Sequence, residues 1–113
     1  MDMWSYRVEQ PSDAAIAGYD VEALDGSIGK VERTPSFSAG QQALAVDTGF
    51  WILGQRRLLP AGVVDRIDPA EQKVYVNLTK AQIKDAPDWN RKAWDKASQL
   101  SEVGDYYASS GRP

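Results

Sequence analysis

Between Tyr19 and Leu78 apolar and polar residues keep alternating in short runs, and turn residues interrupt the pattern before any helix could form. Tyr19, Val21 and Ala23 alternate with Asp20 and Glu22, and Asp25-Gly26 then supplies a two-residue hairpin turn. The next strand, Ser27 to Arg33, loses strict alternation, because Ile28 and Val31 stand three apart with Gly29 between them. A glycine where the period slips predicts a bulge or sharp bend. Thr34 to Gln42, with Pro35 and Gly40, reads as a loop. Leu44 to Asp47 and Phe50 to Leu53 read as strands. Leu58-Leu59-Pro60 follows Arg56-Arg57, with Pro60 confined to a strand end because it donates no ladder hydrogen bond. Val63 to Ile67 and Val74 to Leu78 flank a turn-rich connection and make a second hairpin. Strands of about five residues recurring this closely predict a mainly β protein, a small bent antiparallel β-barrel.

The ends carry other signals. Trp4 to Val8 alternates like an edge strand or an arm, and Ala14 to Ala17 can form one helical turn capped by Ser12 or Asp13. Thr79-Lys80-Ala81-Gln82 has the form of a capping box, with Leu78 and Ile83 placed as a hydrophobic staple. A short helix is therefore expected after the last strand, ending near Asp85 because Pro87 follows. Trp89, Ala93, Ala97 and Leu100 then share one face of a C-terminal amphipathic helix. Its apolar face needs a surface to cover, on its own barrel or on another molecule, and Ala108 to Pro113 should fray. The expected division is an arm at 1–18, a barrel at 19–87, and a helix with an aromatic tail at 88–113.

Composition narrows the chemistry more than it suggests any. With 113 residues there is room for one core. The chain has neither histidine nor cysteine, which removes imidazole-assisted nucleophiles, thiolate and imidazole metal sites, and disulfides. A net charge of −3 gives no overall attraction for phosphate, so nucleic-acid binding would need a local basic patch. No stretch is long and apolar enough to span a bilayer, and the first residues lack the pattern of a secretory signal, so a cytoplasmic location is expected.

Three groups of residues are candidates for function. Arg56-Arg57 beside Phe50 and Trp51 is where cations and aromatics interleave, which suits a nucleic-acid or acidic-partner contact; the same residues also suit a solvated loop beside two core aromatics. Trp89, Trp94, Tyr106 and Tyr107 form an aromatic tail, of the residue types enriched at interface hot spots, which can equally cap one opening of the barrel. Asp47, Asp65 and Asp68 are read as turn and strand-end residues rather than a carboxylate or metal cluster. Asp25 to Gly29 is a hairpin turn, since no helix follows it as a phosphate loop requires.

Gly18-Tyr19-Asp20-Val21, Asp25 to Glu32, Val46-Asp47-Thr48-Gly49, Leu58-Leu59-Pro60 and Lys84-Asp85-Ala86-Pro87, in this order and spacing, resemble the PRC-barrel family. The resemblance covers roughly Tyr19 to Pro87. It implies a small bent β-barrel of the kind found in the reaction-centre H subunit, in a ribosome maturation factor and in stand-alone bacterial and archaeal proteins. It implies a docking or assembly platform, with no family-wide catalytic residues. The chain departs from the first two in having no transmembrane anchor and no second barrel, and is most similar to the stand-alone group. The expectation is a non-catalytic protein-binding or assembly module that self-associates and needs no cofactor or metal. The alternative is an RNA- or ribosome-associated accessory factor.

Overall fold

In a computed structural model of the chain, residues 3–6, 13–35, 40–48, 56–86 and 97–109 are described. A short helix α1 (Asp13–Ile16) leads into β1 (Asp20–Ala23) and β2 (Gly26–Arg33), and β3 (Ala43–Asp47) and β4 (Arg56–Pro60) follow. A 3-10 turn (Ala61–Val63) enters β5 (Val64–Asp68), then come β6 (Lys73–Val76), α2 (Lys80–Lys84) and α3 (Ala97–Ser109). The six strands form one sheet in the order β4-β3-β2-β1-β6-β5. The chain is mainly β, as the alternation predicted.

The sheet is not wholly antiparallel. β1 pairs with β6 in parallel, Val21 opposite Val74, while the other neighbours are antiparallel. The correction has a simple cause: β1 and β6 belong to two separate hairpin units, and nothing local in the sequence fixes their relative direction. Among the described residues the barrel is not closed by hydrogen bonds, since β4 and β5 are the two edges. It is nevertheless strongly curled. A flat six-stranded sheet would hold its edges about 24 Å apart, yet Pro60 of one edge is followed at Val64 by the other, a span of at most about 14 Å.

The bulge expected at Gly29 is present. Val21 faces Gly29 and Glu22 faces Ser27, which leaves Ile28 as the extra residue and lets Ile28 and Val31 both point into the core. Gly29 has φ +150°, and a Cβ there would fall on the carbonyl oxygen of Asp47. Only glycine permits β2 and β3 to approach so closely. The core packed inside the curl includes Val21, Ile28, Val31, Leu44, Val46, Leu59, Val64, Val74 and Val76, closed by Leu78 and Ile83.

The outward row at one end of the sheet crosses all six strands. In register from β4 to β5 stand Arg56, Asp47, Lys30, Asp20, Lys73 and Asp68, so the charge alternates at each step. Lys30 Nζ reaches Asp20 at 2.8 Å. Opposite charges on facing strands stabilise the pairing by roughly 0.2–1 kcal/mol each at best.

α2 begins where the capping box predicted. The Thr79 hydroxyl accepts from the Gln82 N–H, and the Thr79 N–H donates to Gln82 Oε1 at 2.8 Å. Asp25 of the first hairpin turn adds a second cap, accepting from the Lys80 N–H at 2.8 Å. The expected arm differs at its start: Met3–Tyr6 forms a turn rather than a strand, with Trp4 buried and its carbonyl accepting from the Gln42 N–H.

Candidate functional site

Arg56 and Arg57 lie in β4, not in a loop, and the strand sends them to opposite faces. Arg57 points inward and is only 5% exposed. Its guanidinium donates to the Ile83 carbonyl at 3.0 Å, to the Lys84 carbonyl at 3.0 Å and to the Arg56 carbonyl at 3.2 Å. Ile83 and Lys84 end α2, so the cation sits where the helix dipole and its C-terminal carbonyls favour positive charge. Arg56 faces outward with its Nε 2.9 Å from the Glu32 carboxylate. The dipeptide is thus a structural pair, one member holding α2 and the other tied to β2.

Tyr106 and Tyr107 belong to α3, which continues to Ser109, beyond the point where fraying was expected to begin. The cause is packing. Val103 and Tyr107 are buried, and the ring of Trp4 lies over Gly104, where an added Cβ would stand 3.2 Å from the indole. Tyr106 donates to the Gln82 carbonyl at 2.6 Å, and its ring meets Tyr107 edge-on at 5.0 Å. This part of the tail therefore docks on its own chain, against β4 and α2. The Tyr107 hydroxyl is buried without a hydrogen-bond partner among the described residues. Burial, and then Tyr106, push its ionisation well above the usual tyrosine range, against an opposing pull from Arg57. Trp51, Trp89 and Trp94 lie outside the described residues.

Among the described residues, a concave feature of mixed chemistry lies elsewhere, on the outer face where the first hairpin meets β5 and β6. A groove of about 550 Å³ there is lined by Glu22, Leu24, Asp65, Arg66, Tyr75 and Asn77 among others. Register explains its floor: Glu22 of β1 and Arg66 of β5 both stand opposite Tyr75 of β6. The Arg66 guanidinium lies 4.2 Å from the centre of the Tyr75 ring and 3.8 Å from Asp68. A second bulge shapes the wall. Val64 faces Val76 and Arg66 faces Tyr75, so Asp65 is the extra residue, and Asp65 and Arg66 are both exposed in succession. Leu24, at the groove's lip, is 64% exposed and is the large exposed hydrophobic of the described residues.

Sequence reading missed this groove because its residues are scattered over three strands. One signal was available. Leu24 follows Ala23 in the β1 alternation and so takes the outward position, where a leucine is out of place. Asp68, by contrast, behaves as a turn residue, accepting from the Glu71 N–H at 3.2 Å. Among the described residues no three carboxylates converge as a metal-binding set. Nor is any described helix long and apolar enough to cross a membrane.

No family model matches the chain, and no curated protein matches it. Among solved structures it is similar to RimM of Pseudomonas aeruginosa, a protein assigned to 16S ribosomal RNA processing. The TM-score is 0.54 at 18% sequence identity, over 66% of this chain and 48% of that one. The likeness is one of fold. It supports the PRC-type barrel that the motif order led us to expect, and the chain spans about half the length of that neighbour.

Proposed function

We propose that this chain is a non-catalytic accessory factor of ribosome maturation, acting in the cytoplasm by binding rather than by chemistry. The observation that carries the process is the backbone likeness to RimM, assigned to 16S ribosomal RNA processing. The site chemistry supports a binding role. The groove brings together carboxylates, an arginine stacked on a tyrosine, an amide and an exposed leucine, a set suited to recognition. A protein partner fits this surface better than RNA does. Of the two arginines best placed in sequence to meet phosphate, Arg57 is bound internally and Arg56 is held by Glu32.

The test is sedimentation of the tagged chain from its native host through sucrose gradients, together with end-mapping of 16S RNA in a deletion strain. The chain should travel with small-subunit particles, and unprocessed 16S RNA should accumulate when it is absent. A chain that stays at the top of the gradient in low salt, with 16S ends unchanged, would overturn the proposal.

A further inference from the structure

The groove's charges are not balanced. Glu22 and Asp65 stand on opposite sides of Tyr75, on β1 and β5, and neither carboxylate has a hydrogen-bond or ion-pair partner among the described residues. Arg66 does not neutralise them, because its guanidinium is stacked on Tyr75 and turned to Asp68. The site therefore presents two open carboxylates, an apolar side chain at the lip, and the amide of Asn77. With two lining carboxylates against one lining arginine, it favours ammonium or guanidinium over phosphate.

Its shape selects the form of the ligand. β5 is an edge of the sheet, and its bulge at Asp65 interrupts the pairing with β6 beside the groove. An extended chain laid over the outer face at Asp65 would meet both the backbone groups that the bulge leaves out of the ladder and the side chains of the groove. From this juxtaposition we infer that the β1–β5–β6 groove is a docking site for an extended basic peptide segment of a partner protein. One lysine or arginine sits between Glu22 and Asp65, and an adjacent apolar residue covers Leu24. A second copy of this chain is a poorer occupant, since each copy carries a net charge of −3 and its own β5 edge bears Asp65 and Asp68. The inference rests on the reading of the chain as a binding accessory and names the chemistry of its partner.

The experiment is fluorescence anisotropy of the full chain with three labelled nonapeptides, Lys/Val-alternating, Glu/Val-alternating and Ser/Val-alternating, and with a single-stranded RNA 12-mer, all at low salt. The basic peptide should bind at micromolar concentration and the other three at least tenfold more weakly. Glu22→Lys/Asp65→Lys should weaken the basic peptide at least tenfold, and Leu24→Ser about threefold, with thermal melting of each variant confirming the fold. Equal affinity of the double variant and the parent for the basic peptide would overturn the inference, as would tighter binding of the RNA. So would a dimer in light scattering that the basic peptide fails to compete away. These outcomes are separable from the process assigned above: failure to travel with ribosomal particles leaves the groove standing, and an unaffected double variant leaves the process standing.

Discussion

The two edges of the sheet have been treated in opposite ways. β4 is buried from Arg57 to Pro60, with α3 packed against it and Arg57 bolting its start to the end of α2. β5 exposes Asp65 and Arg66 and adds a bulge. An unpaired strand edge is a surface waiting for a partner, and a protein either covers it or uses it. Here one edge strand has the chain's own C-terminal helix packed against it, and the other is shaped, charged and, among the described residues, uncovered at Asp65 and Arg66. The difference teaches that Tyr106 and Tyr107 serve the scaffold, and it is the reason the docking site is proposed on the strand pair farthest from them in the sheet.

That contrast can be broken by substitutions on either side, and the largest effects should fall on the β4 half. Gly29→Ala drives a Cβ onto the β3 backbone at a φ that L-residues rarely adopt. We expect a loss of about 4 kcal/mol in urea unfolding, or failure to fold at all. Arg57→Ala leaves the carbonyls that end α2 without their charged donor in a buried position. Its expected cost is about 3 kcal/mol, together with faster hydrogen exchange in α2 and α3.

Tyr107→Phe acts in the other direction. It removes a buried hydroxyl with no partner among the described residues and should stabilise the chain by about 1 kcal/mol near neutral pH. Its pH dependence sharpens the point. The native phenol stays protonated where the unfolded one ionises, so above about pH 10 the unfolded state binds fewer protons and stability falls as pH rises. The slope is up to about 1.4 kcal/mol per pH unit. Unfolding curves between neutral pH and pH 11 should show a shallower alkaline decline in the phenylalanine variant. An identical decline in both proteins would mean that Tyr107 is not held in the core.

The smallest effects should be those on the open edge. Arg66→Ala and Leu24→Ser should each change stability by less than about 0.5 kcal/mol, since both side chains are mostly solvated. A large loss from either would mean that β5 and the first hairpin are structural in the same sense as β4.

How much of this was legible in sequence depended on how local its cause was. The first hairpin, the slip at Gly29 and the capping box at Thr79 each announce themselves within a few residues and each is present, although the hairpin turns at Leu24-Asp25, one residue before the expected Asp25-Gly26, with Gly26 opening β2 opposite Ala23. The fate of Arg57 was not legible. Two adjacent arginines read as surface, and only the arrival of the α2 carbonyls, some 26 residues later, makes an interior position tolerable for one of them. The groove was equally hidden, because Glu22, Tyr75 and Arg66 become neighbours only through strand register. The end of α3 was within reach: Leu100, Val103 and Tyr107 continue a helical spacing. Gly104 in their midst looks like a stop until the ring of Trp4 accounts for it.

The parallel seam between β1 and β6 bears on how the molecule assembles. β1 to β4 form one meander of antiparallel neighbours and β5 with β6 a second hairpin, whereas Asp20 and Lys73 meet across about 50 residues of intervening chain. Each unit can form early from near contacts, but the seam must wait for a long loop to close. The rate-limiting event of folding should thus be the joining of two preformed pieces. Val74→Ala, which weakens the seam, should slow folding more than a substitution of matching cost inside either piece.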